Sequence, residues 1–152
     1  MKRALLLALF SASVIYAQPR FIAGSINGLP SSGVPNIPAG QDNTIVVQVQ
    51  DTGNGLYDVG LTISESWYPN YGCSINTIIP NYPNLSTAYL TLVTDNNDPE
   101  PAMSFGASLS RRNSACTLTA TQSSLIPVGN NIYQITVHVT FNEPYEGADT
   151  FT

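Results

Sequence analysis

The sequence predicts an all-β fold of two antiparallel sheets packed face to face. Short runs alternate apolar and polar residues with a period of two. Eleven glycines and eleven prolines punctuate those runs, which recur at a spacing of roughly ten residues. No window sustains a helical period. About seven to nine strands are expected, each sheet dry on one face and wet on the other.

The first candidate strand is Phe21 to Asn27, followed by a connection from Gly28 to Gly40 that carries three prolines. Asn43 to Gln50 is a stronger strand, with Ile45, Val47 and Val49 on one face and Gln48 and Gln50 on the other. Asp51-Thr52-Gly53-Asn54-Gly55 reads as a turn. Leu56 to Ser66 then returns with Val59, Leu61 and Ile63 on one side, so the two runs are expected to form a hairpin.

Trp67 to Asn84 is a loop-rich excursion through Pro69, Pro80 and Pro83, with a short strand expected at Ile75 to Ile79. Ser86 to Thr94 sets Leu90 and Leu92 against Tyr89, Thr91 and Val93 until Asp95-Asn96-Asn97-Asp98-Pro99 ends it. Met103, Phe105, Ala107 and Leu109 align on one face, and a strand follows around Cys116 to Thr121. Asn131 to Phe141 alternates most clearly. Tyr133, Ile135, Val137, Val139 and Phe141 point inward, while Gln134, Thr136, His138 and Thr140 point out. Glu143 to Gly147 makes a last turn, with the start of a terminal strand expected at Ala148 to Thr152.

The N-terminus has the layout of a secretory signal peptide, the alternatives being a buried N-terminal helix or a retained anchor. Lys2 and Arg3 precede an apolar run, Ala4 to Ala17, that ends in Ile15-Tyr16-Ala17 with a small residue last. That run holds fourteen residues, short of the about 20 a membrane-spanning helix needs. The expected organisation is a signal at 1–17, a strand and Pro/Gly-rich linker at 18–40, and a sandwich at 41–152. After cleavage the chain has three basic residues against ten acidic ones, a formal charge of −7, and no lysine. Such a surface offers no electrostatic footprint for nucleic acid or anionic lipid. Cys73 and Cys116 are the only cysteines. In an exported chain an even count favours a disulfide, the alternative being two buried thiols.

Two stretches carry a family resemblance. Pro38-Ala39-Gly40, the strand ending in Val47-Gln48-Val49-Gln50-Asp51-Thr52-Gly53, and Leu56-Tyr57-Asp58-Val59-Gly60-Leu61-Thr62-Ile63 form the first. Pro127 to Val137, with Tyr133 near the strand start, and Glu143-Pro144-Tyr145-Glu146-Gly147 form the second. Together they resemble CARDB-like and S-layer-associated immunoglobulin-like domains of archaeal and bacterial surface proteins. The resemblance covers residues 38–66 and 125–151. It implies an immunoglobulin-like β-sandwich with an extracellular structural, adhesive or assembly role. The Trp67 to Asn84 excursion and the two cysteines fall outside it.

Catalytic chemistry is poorly provided for. His138, the only histidine, falls on the polar face of its strand, and there is no Gly-x-Ser-x-Gly elbow to supply a nucleophile. The absence of lysine after cleavage removes a Walker-type phosphate site. Asp95, Asp98 and Glu100, and separately Glu143, Glu146 and Asp149, cluster in turns; solvation explains them, with calcium as the alternative. Neither a metal nor a cofactor is expected. Arg111 and Arg112 fall on a surface turn.

Binding is better provided for. Trp67, Tyr68 and Tyr71 concentrate aromatic rings beside amides, a composition that suits packing, a protein interface or a sugar ring. Asn84-Leu85-Ser86 is the one glycosylation triplet. Phe21, Ile22 and Ile26 lie in a segment set off by prolines, which suits addition to the sheet edge of a neighbouring subunit. The expectation is a secreted, non-enzymatic structural or assembly protein of the cell surface, such as a pilus-like filament subunit, an S-layer-associated module or an adhesin, that associates with itself or with a cell-envelope partner. The alternative is a secreted glycan- or ligand-binding module.

Overall fold

The computed structural model describes residues 19–30, 37–53, 55–63, 72–94 and 98–143. Ten strands follow in order: β1 (Arg20–Ile26), β2 (Leu29–Pro30), β3 (Asp42–Gln50), β4 (Asp58–Ile63) and β5 (Cys73–Ile78), then β6 (Tyr89–Leu92), β7 (Met103–Ser104), β8 (Ser110–Arg112), β9 (Cys116–Gly129) and β10 (Ile132–Phe141). They form a six-stranded sheet in the order β2-β1-β3-β10-β9-β8 and a four-stranded sheet in the order β4-β5-β6-β7. Every pairing is antiparallel. The expected all-β sandwich is therefore what the chain adopts.

The period-two pattern sets the core. Ile45, Val47 and Val49 of β3 and Ile135, Val137 and Val139 of β10 are buried on the inner face of the larger sheet. Leu61 and Ile63 of β4, Ile75 of β5, and Leu90 and Leu92 of β6 are buried on the inner face of the smaller one. Each such aliphatic side chain contributes about 1.5–3 kcal/mol when fully removed from water. The Cys73–Cys116 disulfide, with a Cα–Cα distance of 5.6 Å, ties β5 in one sheet to β9 in the other. Both residues are fully buried.

The expected hairpin between Asn43–Gln50 and Leu56–Ser66 does not form. β3 belongs to the six-stranded sheet and β4 to the four-stranded one. The reason is competition for edges: β1 takes one side of β3 and β10 the other, so β4 has no ladder to join and crosses to the second layer. Asp51 organises the crossing, its Oδ1 accepting from the backbone N–H groups of Gly53 and Gly55. Gly55 has φ +86°, and a Cβ there would come within 2.9 Å of the Tyr57 ring and 3.0 Å of the Tyr82 ring. Both conformation and space therefore require glycine.

Two further differences concern β1 and β9. The segment from Phe21, expected to stand apart behind a proline-rich linker, pairs along β3 of its own chain from Arg20↔Gln50 to Ile26↔Ile45. β9 runs on from the expected strand at Cys116–Thr121 to Gly129. Its pairing with β10 jumps from His138↔Thr119 to Thr136↔Ser124, a bulge that exchanges inward and outward positions. Leu118 and Ala120 are buried before it, Ser123 and Leu125 turn inward after it. Ser123 bridges the gap. Its hydroxyl donates to the Thr119 carbonyl at 2.7 Å and accepts from the His138 backbone N–H at 3.2 Å. Asn130 and Asn131, at φ 53° and 58°, make the tight turn into β10 that two consecutive left-handed residues allow.

Candidate functional site

One end of the sandwich carries a cluster of tyrosines around Asp51. Tyr82, in the connection between β5 and β6, donates its hydroxyl proton to Asp51 Oδ2 at 2.6 Å. The Tyr133 hydroxyl, 2.8 Å from that of Tyr82, is then left to donate to it. Tyr57 and Tyr133 meet the Tyr82 ring edge-on, with centroids 6.0 and 5.6 Å away. Burial, then the Asp51 and Tyr133 bonds, push the Tyr82 phenol far above its ordinary value, so it stays neutral. The cluster is a pin. It joins the end of β3, the start of β10 and a loop of the opposite sheet through the Asp51–Tyr82–Tyr133 bonds.

His138 projects from the outer face of β10, its Nδ1 2.8 Å from Asp42 Oδ2 on the neighbouring strand. Ser123 lies close in the ladder but contacts the histidine through the backbone N–H, and its own proton goes to the Thr119 carbonyl. A general base must instead reach the nucleophile's hydroxyl with its ring. These three residues therefore form structural contacts. Arg111 and Arg112, expected on a surface turn, lie in β8 and pair with β9, and Arg111 donates to the carbonyls of Pro101 and Ser110. Asn113, at the turn into β9, accepts from the N–H groups of Ala115 and Cys116 and donates to the Val93 carbonyl of the other sheet.

Trp67, Tyr68 and Tyr71 lie outside the described residues, as do the 1–17 segment, Asp95, Glu146 and Asp149. Among the described residues no group of three or more His, Cys, Asp or Glu is placed to hold a metal ion, and no helix is long and apolar enough to cross a membrane. A gap between the sheets, lined by Val47, Leu61, Ile75 and Val137 among others, has room for about one water molecule. Asn84 is exposed. Its Oδ1 accepts from the Ser86 N–H at 3.1 Å and the Ser86 hydroxyl at 2.7 Å.

The edges of the six-stranded sheet are the feature with unspent capacity. β2 pairs with β1 only at Ser25↔Pro30 and Ile26↔Leu29, so among the described residues nothing pairs with the outer side of Arg20–Gly24. β8 pairs with β9 only from Thr117 to Thr119, and the 106–109 turn bonds to Ala120 and Thr121 beyond it. The outer side of Gln122–Gly129 is likewise uncovered among the described residues. Both stretches expose apolar side chains: Phe21 at 51% and Ile22 at 38% on β1, Ile126 and Val128 at 46% each on β9. Ile26, by contrast, is buried against its own core. The β9 edge lies beyond the strand expected at Cys116–Thr121, and Pro127 is admitted there because on an edge its nitrogen is turned to solvent.

No protein-family model, curated protein or solved structure matches this chain.

Proposed function

We propose that this chain is a non-enzymatic structural subunit of an extracellular filament or cell-surface assembly, and that it works by pairing strands with copies of itself. The observation that carries the reading is the pair of apolar edges on one sheet that nothing covers among the described residues. An edge strand presents a row of free N–H and C=O groups, a template for another chain. The buried disulfide and the signal-like N-terminus support an oxidising exterior. The resemblance to CARDB-like and S-layer-associated modules supports the same place and role.

Strand addition takes its simplest form at β1. Arg20–Ile26 is held by one partner strand along most of its length and is followed by a proline-rich connection. Its outer side is left to take the strand of a second copy. Negative-stain microscopy and N-terminal sequencing of the native exported protein test the reading. Polymers that begin near Gln18 are expected. A chain lacking residues 18–30 is expected to be exported and to stay unpolymerised; filaments that persist after that truncation overturn strand addition at β1.

A further inference from the structure

Resting on that reading, we infer that the β1 edge of one copy pairs with the β9 edge of the next, every copy keeping the same orientation. The direction of the strands supports this first. β1, β3, β10 and β9 are consecutive neighbours and alternate in direction, so β1 and β9 run opposite ways. A second copy translated along the sheet therefore brings its β9 antiparallel to β1 without being turned over. Head-to-tail contacts of this kind do not close on themselves at two copies; they propagate.

The levels of the two edges match as well. Reading across the sheet, Gly24, Val47, Ile135 and Leu125 share one rung, and Ala23, Gln48, Gln134 and Ile126 share the next. Phe21, Val49, Tyr133 and Pro127 share another. With no stagger, Gly24 thus faces Leu125 of the neighbour and Ala23 faces Ile126. The uncovered stretches lie at the same end of the sheet, and β2 and β8 guard the other end.

The hydrogen-bonding phase fits too. The Asn27 N–H donates to the Thr44 carbonyl, so by alternation Ser25 and Ala23 point to β3 and Gly24 points outward. The Asn142 N–H donates to the Ala115 carbonyl, so along β10 the even residues point to β9. Ser124 and Ile126 answer them, which turns Leu125 and Pro127 outward. Gly24 and Leu125 are then a pair able to exchange both backbone bonds. The Pro127 rung, which lacks a donor, meets Phe21 next to the bulge at Ile22 where that ladder is already irregular. These two defects discourage indiscriminate pairing at each edge and coincide when the edges meet.

Cysteine cross-linking of the full-length chain tests the pairing. Ala23 and Ile126 form a rung without backbone bonds between them, where Cα atoms lie about 4.5 Å apart, close enough for a disulfide. The double variant Ala23→Cys, Ile126→Cys is expected to give a ladder of covalent oligomers on non-reducing gels, and each single variant dimers at most. Filaments without the ladder overturn this pairing and leave self-assembly standing; a chain that forms no polymer at all overturns both. Charge supplies a second readout on these exposed positions. Ile126→Lys is expected to abolish polymers, and adding Ala23→Glu to restore them; loss without rescue counts against the pairing.

Independently of assembly, we infer that Asn84 is the acceptor for an N-linked glycan. The Asn84-Leu85-Ser86 triplet sits at the start of a single 3-10 turn, Leu85–Thr87, on the loop joining β5 to β6. Its serine N–H and hydroxyl are both folded onto the asparagine Oδ1, and the asparagine itself is exposed. Transfer from a lipid-phosphate-linked sugar forms the Nδ2–C1 bond and breaks the C1–O bond, its electron pair leaving with the lipid phosphate and one amide proton passing to a base. Mass spectrometry of the native exported protein is expected to find the sugar on the Asn84 peptide and not in an Asn84→Gln variant. An unmodified Asn84 peptide in that material overturns the assignment.

Discussion

Removing the inter-sheet disulfide is the perturbation with the most calculable outcome. Cys73 and Cys116 are 43 residues apart in sequence, and bridging them restricts the unfolded chain far more than the folded one. The loop-entropy relation gives about 4 kcal/mol for a closure of this length. A domain of this size has about 5–15 kcal/mol in total, so the bridge is a large share. Cys73→Ala with Cys116→Ala should lower the unfolding free energy in urea by about that amount, and the melting temperature by roughly 8–16 °C at about 2–4 °C per kcal/mol. The urea slope should rise, because the uncrosslinked chain exposes more surface when unfolded. The double serine variant should lose about 1–3 kcal/mol more, since it places two hydroxyls where both side chains are fully buried. A loss below about 1 kcal/mol in the alanine variant would refute the entropic reasoning and leave packing alone holding the layers.

Tyr82→Phe breaks the bond to Asp51 and strands the Tyr133 hydroxyl, so a loss of about 1–2 kcal/mol is expected by urea unfolding. Alkaline pH probes the same pin. The raised Tyr82 pKa means its stabilising contribution is complete below the ordinary value of 10.0 and drains away as pH rises through and beyond it. Absorbance of tyrosinate should therefore lag behind that of free tyrosine, and Tyr82→Phe should flatten the alkaline fall in stability. Asn113→Ala removes two acceptor contacts to the β9 turn and a donor to the opposite sheet; a cost of about 2–3 kcal/mol is expected, with the fold retained by circular dichroism.

The alternating runs were readable because one face of each strand had to be dry. The inward residues of β3, β4, β6 and β10 are those the period of two picks out, and the even cysteine count pointed to the bridge. Partner choice was not readable. The runs on either side of Asp51 alternate as a hairpin would, yet β3 has both edges taken by strands distant in sequence. Leu109 alternates correctly after Met103 but is exposed, because Gly106 at φ 78° turns the chain out of the sheet. The β9 continuation was masked by its bulge, where Ser123 supplies from a side chain what the ladder lacks. Tyr82 and Asp51, 31 residues apart, meet only once the layers are stacked. The edges are a property of sheet order, which no local pattern encodes.

Helical reconstruction of the native polymer tests the central claim most directly. Each copy would add four strands to a continuous sheet, so at about 4.8 Å per strand the rise between copies is about 19 Å along the hydrogen-bonding direction. At about 20–25° of twist per strand the rotation between them is about 80–100°. A polar filament with those parameters and β1 of each copy beside β9 of the next is the expected result. A closed dimer with two-fold symmetry, or exported protein that stays monomeric at every concentration, would contradict it.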